Sequence, residues 1–103
     1  MTGVTNNVAA SRLEIQIDGN LAVAEYQQGH DTITFTHTRV PPELSGRGIG
    51  TQLILAGLKL AHERHLKVIP QCRFFAVYMQ RHPETQELLS DEGRKLLQDK
   101  PGS

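Results

Sequence analysis

The segment between residues 40 and 51 limits the possible folds of this chain more than any other stretch. It reads Val40-Pro41-Pro42-Glu43-Leu44-Ser45-Gly46-Arg47-Gly48-Ile49-Gly50-Thr51. Proline has no N–H to donate to a sheet, so the two prolines end the extended run before them. The three alternating glycines then allow a tight turn, because they carry no side chains. An amphipathic run follows at once, so the segment predicts a direct passage from a strand into a helix.

Three runs of alternating apolar and polar residues precede this segment, and such alternation is typical of strands. They cover residues 13–17, 21–27 and 32–40. The first two are joined by Asp18-Gly19-Asn20, a strong hairpin signal. We therefore expect an antiparallel meander. Strict alternation in the third strand places its residues on two faces, with Ile33, Phe35 and His37 on one and Thr34, Thr36 and Thr38 on the other.

The second half of the chain alternates helical and extended patterns. Apolar residues recur at helical spacing from residue 48 to about residue 64. A short strand at 66–70 ends at a proline, and residues 72–81, 84–89 and 91–98 are helical candidates. The order β-β-β-α-β-α predicts an α+β fold with a mixed sheet.

A chain of 103 residues suits a single domain, which we place at residues 12–98. Residues 1–11 are small and polar without periodicity, so they are expected to form a flexible N-terminal tail. Residues 99–103 are expected to form a short C-terminal tail.

Charge and cysteine content narrow the class of protein. Lysine plus arginine and aspartate plus glutamate number 11 each, so the formal net charge is zero. Nucleic-acid or membrane binding would favour a basic excess, so neither partner is expected. The single Cys72 cannot form an internal disulfide, and the sequence has neither a signal-peptide pattern nor an apolar stretch of membrane-spanning length. We expect a cytoplasmic protein, monomeric or weakly dimeric.

The glycine-rich loop has the composition of an anion site. The first turn of a helix carries unpaired N–H groups and a partial positive charge, which suits a phosphate. Arg47 can add a charge-assisted contact. A Walker A loop needs Gly-Lys-Ser/Thr, and a Rossmann fingerprint needs G-x-G-x-x-G in a parallel unit, so neither nucleotide motif matches. The structural alternative is that the glycines only form a turn into the helix.

No metal site is expected. His62 and His65, with Glu63 between them, have a spacing that hardly permits a shared metal geometry. They lie near the predicted C-terminus of the long helix, where cationic side chains suit the helix dipole.

The loop resembles the acetyl-CoA signature of the GNAT superfamily of N-acetyltransferases, Arg/Gln-x-x-Gly-x-Gly/Ala. Gly48 and Gly50 match its two small positions, whereas Ser45 occupies the position of the arginine or glutamine. The resemblance implies acetyl-CoA as cofactor, with its pyrophosphate on backbone N–H groups. The implied cofactor-binding residues are Val40, Ser45, Gly46, Arg47, Gly48, Ile49, Gly50 and Thr51.

The resemblance extends over roughly residues 12–90 and is greatest to the minimal single-domain branch of the superfamily. The shared runs are Glu25-Tyr26, Phe35-Thr36-His37-Thr38 with Val40, Val68-Ile69-Pro70 with Cys72, and His82-Pro83-Glu84. The implied fold is GNAT-like: a meander, the glycine loop, a helix, a strand added in parallel, and C-terminal helices. This branch lacks the helical segment that lines the acceptor site in larger relatives, which leaves the acceptor amine unspecified.

Three residues are candidates for the chemistry. The resemblance places Cys72 beside the acetyl group, where it accepts the acetyl group covalently or lines the pocket during direct transfer. Tyr78 matches a tyrosine that protonates the departing thiolate in relatives. His37 is a candidate base for the incoming amine, and Glu25 is a second one. Each has a structural alternative: a packed cysteine, a core tyrosine, a hydrogen-bonded histidine and a solvated carboxylate.

Two functions are consistent with this sequence. The first is acetyl-CoA-dependent transfer to an amine, small or on a protein. The second is a non-catalytic CoA-binding or interaction module. A KH-like RNA module is a weaker idea, because the charge is neutral and a G-x-x-G frame is absent.

Overall fold

The computed structural model describes residues 3–99 and contains one five-stranded sheet. The strands are β1 (Thr5–Asn7), β2 (Arg12–Ile17), β3 (Asn20–Gln28), β4 (Thr32–Arg39) and β5 (Lys67–Pro70). They lie side by side in chain order, antiparallel from β1 to β4, and β5 is added parallel to β4. The predicted α+β class with a meander and a mixed sheet is confirmed.

The described part of the chain contains three α-helices and two 3-10 helices. The α-helices are α1 (Ile49–Glu63), α2 (Arg73–Arg81) and α3 (Asp91–Asp99), and the 3-10 helices are Pro42–Leu44 and Pro83–Leu88. The helical candidate at 84–89 is therefore a 3-10 helix that begins one residue earlier. It starts at a proline and ends where Leu89 bridges Val68 of β5, which leaves a short span.

Residues 5–7 differ from the expectation for the N-terminus. They form β1 and pair with β2, so the prediction of a tail up to residue 11 is wrong at these positions. No strand pattern marks these residues, because two of the three are asparagines, which are depleted in strands. A side-chain contact helps to hold β1: the Tyr26 hydroxyl donates to Asn6 Oδ1 at 2.7 Å. Most of the predicted C-terminal tail, 100–103, lies outside the described residues.

The core lies between the sheet and α1, with α2 closing one side. The rings of Phe35 on β4 and Phe75 on α2 stack with centroids 4.0 Å apart, and both are fully buried. Gly57 of α1 faces both rings, because a Cβ there would lie 2.9 Å from each. This close approach brings α1 and α2 onto the same face of the sheet. We call the opposite face the outer face.

A β-bulge interrupts the alternation of β4. Tyr26 lies opposite Phe35 and Glu25 lies opposite His37, so Thr36 is the extra residue on β4. Beyond the bulge the faces exchange, because one inserted residue reverses a period of two. His37 therefore shares the outer face with Glu25, and the expectation that it shares a face with Phe35 is wrong. Thr38 moves to the helix-covered side, opposite the buried Ala24.

The whole of β5 pairs with the first half of β4. Their register ends at Phe35 opposite Pro70, and Cys72 N–H then donates to the Phe35 carbonyl at 2.9 Å. Past this point β4 continues to Arg39, whereas the segment after β5 turns into α2. The two segments diverge, and this leaves a notch in the sheet on the β5 side of residues 36–39.

Candidate active site

The glycine loop is fixed at its start by Leu44 and shaped by left-handed residues after it. The Leu44 side chain is only 1% exposed, and its N–H donates to the Pro41 carbonyl at 2.9 Å. Gly46 and Gly48 have φ values of 80° and 73°, a region that residues with a Cβ rarely adopt. These two glycines are therefore required by the backbone path of the loop.

The N-terminus of α1 is free to bind an anion. Gly48 is its N-cap and offers no side-chain capping bond, and the first turn contains no acidic residue. The first intrahelical bond runs from Gln52 N–H to the Gly48 carbonyl. The preceding N–H groups have no partner within the helix, and the helix dipole adds partial positive charge. The predicted anion-binding character of this loop is thus consistent with its geometry.

A shallow cleft of about 350 Å³ opens beside the loop, and we call it the loop cleft. It is lined by every residue predicted to bind the cofactor except Arg47, together with Leu44, Ile54 and Phe74. Gly50 lies between its two sides, because a Cβ there would be 3.2 Å from the Phe74 ring and 3.7 Å from Val40. The missing side chain at residue 50 thus keeps the cleft open.

Arg47 does not line the loop cleft. Its guanidinium lies 3.4 Å from the Asp18 carboxylate in the turn between β2 and β3. Both side chains are largely exposed, and such a pair contributes little to stability. The contact nevertheless sets the starting position of Arg47, which has to leave Asp18 to reach an anion on the loop.

A second groove continues the loop cleft between α1 and α2. Its cavity measures about 550 Å³ and shares Thr51, Ile54 and Phe74 with the loop cleft. The groove is basic, because Arg73 and Arg81, the first and last residues of α2, both line it. Phe74 lies between the two cavities and is 46% exposed, so an aromatic surface joins the loop to this basic groove.

The third part of the site is the notch between β4 and α2. Cys72 lies there and is 7% exposed, with its Sγ 3.1 Å from Thr38 Oγ1. Two residues further along both segments, Val40 and Phe74 flank Gly50 of the loop cleft. The notch thus leads from Cys72 to the glycine loop, and a ligand held by the loop can extend along it.

The fourth part lies on the outer face of the sheet. Glu25 Oε1 and His37 Nδ1 are 3.7 Å apart, and both side chains are well exposed. They line a cleft of about 520 Å³, which we call the outer-face cleft, and Thr38 lines it as well. Because the Thr38 side chain contacts Cys72 from the other side of the sheet, the cleft and the notch border the same end of β4 from opposite faces.

Tyr78 lies in a different place from Cys72. Its ring stacks on His82 with centroids 3.9 Å apart, and it lines the groove between α1 and α2. Neither Cys72 nor Thr38 is among the residues that line this groove. Cys72 contacts Thr38, which follows His37 on β4 but faces the other side of the sheet, and Tyr78 contacts none of these residues in the groove that it lines. A role for Tyr78 as the acid remains a prediction.

The family model for GCN5-related N-acetyltransferases matches residues 12–88. The chain belongs to this family. The fold is similar to the solution structure of a GCN5-like protein from Staphylococcus aureus, with a TM-score of 0.69 and 26% identity over 85% of this chain and 87% of that one. A comparison with curated proteins gives no significant match.

Membership in the GCN5-related family supports acetyltransferase activity in general.

Other observations concern metals and membranes. Within residues 3–99, no three His, Cys, Asp or Glu side chains are grouped so that they could hold a metal ion. None of the helices in this described range is long and apolar enough to cross a bilayer.

Sequence reasoning missed three residues of the site. Thr38 was placed on the wrong face, because nothing in a run of alternating threonines marks the bulge at Thr36. Phe74 was assigned to the predicted helix and not to the loop site. The sequence does not show which of the two adjacent phenylalanines is exposed, and the structure buries Phe75. Arg39 joins the outer-face cleft only through the pairing of β3 with β4. All three positions depend on tertiary contacts.

Proposed function

We propose that this chain transfers the acetyl group of acetyl-CoA to an amine. The observation that carries the proposal is the continuity from the N-terminus of α1 to Cys72. Val40 and Phe74 flank Gly50, and two residues earlier on the same two segments Thr38 contacts Cys72. A phosphate-bearing ligand with a long, thin reactive arm suits this shape, with its anion at the loop and its reactive end at the notch.

The residues present fit the acetyl-CoA that the family implies. The loop provides backbone N–H groups without side chains at Gly46, Gly48 and Gly50. Arg73 and Arg81, which line the neighbouring groove at the two ends of α2, provide positive charge for a second anionic group. When bound, this cofactor supplies an activated thioester, and the protein supplies position and electrostatics.

Two routes use the residues at the notch. In the covalent route, the Cys72 sulfur attacks the thioester carbonyl, the CoA thiol leaves with the proton of Cys72, and an acetyl-cysteine forms. The amine then attacks this acetyl-cysteine and restores the Cys72 thiol. In the direct route, the amine attacks the thioester itself and Cys72 only borders the carbonyl. The Thr38 hydroxyl can stabilise a Cys72 thiolate in the first route, because the two atoms are 3.1 Å apart.

Both routes require a base for the amine proton. Glu25 and His37 line the outer-face cleft, which also contacts Thr38. Their exposure gives the proton a path to solvent after transfer. The backbone N–H groups of residues 36–39 that point to the β5 side have no strand partner among the described residues. They are therefore available to donate to the developing oxyanion.

The test is to incubate the protein with acetyl-CoA, with and without amines, and to follow CoA release and intact mass. We expect CoA release that rises with an accepted amine. An acetyl mass on the wild type that is lost in Cys72→Ala would support the covalent route. Full turnover by Cys72→Ala would remove that route and leave direct transfer. Binding of CoA without transfer to any amine would contradict the proposal and favour a non-catalytic binding module.

A further inference from the structure

The outer-face cleft has a charge pattern that the proposed reaction alone does not require. Cross-strand pairing arranges six side chains in two rows on this face. One row is Arg12, Glu25 and His37, and the next is Glu14, Val23 and Arg39. Side chains two positions apart along a strand are about 7 Å apart, so a small molecule can touch both rows at once.

Most charges in these rows are already paired. The Arg12 Nε donates to Glu14 Oε2, which also accepts from Asn7 Nδ2 at 3.1 Å. Glu25 lies 3.7 Å from His37. Arg39 differs, because no carboxylate lies within 4.0 Å of it among residues 3–99. The cleft therefore contains an uncompensated guanidinium one row away from a carboxylate–imidazole pair.

The two rows suit opposite charges on one ligand. An ammonium group is stabilised beside Glu25 and can lose its proton to Glu25 or His37. An anionic group is attracted to Arg39, whose planar donors match a carboxylate or a phosphate. Leu21 and Val23 line the same cleft and add an apolar wall. A cleft of about 520 Å³ has the size of a small-molecule site.

The position of this cleft connects it to the acetyl group. Thr38 lines the cleft and its hydroxyl also contacts Cys72 Sγ. Beyond Phe35 no strand among the described residues covers that side of β4, so the cleft and the notch lie on the two faces of one open strand end. An amine held beside His37 can reach the notch around this edge.

We infer that the acceptor is a small amine that carries its own anionic group, with the amine at Glu25 and His37 and the anion at Arg39. This inference rests on the proposed acetyl transfer. A polyamine or a lysine in a basic peptide is disfavoured, because Arg39 repels a second positive charge.

The experiment compares kcat/KM for matched amines, with acetyl-CoA as donor. β-Alanine is paired with β-alaninamide, and 2-aminoethyl phosphate with ethanolamine, so the arms separate a carboxylate from a phosphate. We expect the anionic member of at least one pair to be favoured about tenfold or more, the effect of a charge-assisted contact. Arg39→Gln should reduce that preference to within about threefold. Differences in amine basicity cancel, because each amine is compared on two proteins.

Arg64→Gln is the matched control, since Arg64 is exposed at the end of α1 and bonded to Gln28, outside the cleft. It should retain the wild-type preference. Equal rates within both pairs, or a preference unchanged in Arg39→Gln, would overturn the inference. If CoA binding and turnover are still observed in that case, the proposed function remains intact. Transfer only to a lysine-containing peptide would also overturn it.

A binding measurement separates failure of the inference from failure of the proposed function. N-acetyl-β-alanine and its amide are titrated into the protein and followed by backbone amide shifts, which needs no turnover. We expect shifts at His37 and Arg39 with the acid but not with the amide, and loss of these shifts in Arg39→Gln. N-acetyl-2-aminoethyl phosphate is titrated in the same way. Absence of such shifts with both anionic compounds contradicts the inference, whereas absence of acetyl transfer with the shifts intact contradicts only the proposed reaction.

Discussion

The Thr38 hydroxyl lies 3.1 Å from the Cys72 sulfur, although the two residues belong to segments that have stopped pairing. The contact exists because the bulge at Thr36 turns Thr38 away from the outer face. The contact joins β4, which borders the outer-face cleft, to Cys72, which immediately precedes α2. The candidate nucleophile is thus held by the same strand that presents the candidate base His37.

The first prediction concerns this contact. Thr38→Val keeps the shape of the side chain and removes the hydroxyl, so it should lower acetyl transfer about fivefold, the loss of roughly 1 kcal/mol. Thr38→Ser should retain most of the activity. The rate of Cys72 alkylation by iodoacetamide, measured against pH, gives a second readout. A profile identical in all three proteins would show that Thr38 does not act on the Cys72 sulfur.

The second prediction concerns Arg47 and Asp18. Asp18→Asn removes the carboxylate that holds the guanidinium, so it should tighten CoA binding at low salt by at most about fivefold, the value of an exposed ion pair. Arg47→Gln should weaken binding, and the combined variant should match Arg47→Gln alone. Calorimetric titration at two salt concentrations measures this. Tighter binding in the combined variant would show that Asp18 acts directly on the ligand.

The third prediction concerns packing at Gly57. A Cβ there would lie 2.9 Å from the buried rings of Phe35 and Phe75, so Gly57→Ala should lower the free energy of unfolding by about 1–3 kcal/mol. Gly50→Ala is the matched control in the same helix, because it meets Phe74, which is half exposed and can move. Urea denaturation of both variants measures the difference. Equal stability of the two variants would show that the rings of Phe35 and Phe75 move to accommodate the added methyl group at little cost.

The fourth prediction concerns acid stability. Hydrogen bonds from Arg12 and then from Asn7 hold the pKa of Glu14 below its ordinary value of 4.5. A carboxylate with a lowered pKa in the folded state stabilises the protein above its unfolded pKa, and this contribution is lost as the pH falls through the folded value. The melting temperature of wild type should exceed that of Glu14→Gln at neutral pH. The gap should close below pH 4.5, and a constant gap would contradict the assignment.

The sequence predicted those parts of the fold that depend on local chemistry. Pro41 and Pro42 end the strand, the glycines mark the turn into α1, and the meander follows from residue alternation. Two features depended on distant partners and were not predicted. β1 forms because β2 offers an edge, and the bulge arises in the pairing of β3 with β4.

The site follows the same division. The loop residues were identified together because one local segment contains them, and all but Arg47 line one cleft. Arg47 was assigned by its charge, and only the tertiary structure brings Asp18 beside it. Strict alternation along β4 assigned His37 to the face of Phe35. The bulge adds Thr36 as one extra residue, so His37 lies on the opposite face. Its candidate partner Glu25 was found nevertheless, since the two strands are neighbours in the chain.

The central claim is that the loop at the N-terminus of α1 holds the phosphates of CoA, and Gly48 tests it most directly. A side chain at Gly48 would meet open space but would be strained by a φ of +73°. Gly48→Gln and Gly48→Glu share that strain and differ only in charge, so calorimetric titration of CoA into both proteins isolates the electrostatic effect. We predict measurable binding to wild type, weaker binding to Gly48→Gln, and binding to Gly48→Glu at least about tenfold weaker again. Equal affinity of the two variants for CoA would contradict the placement of the phosphates on this loop.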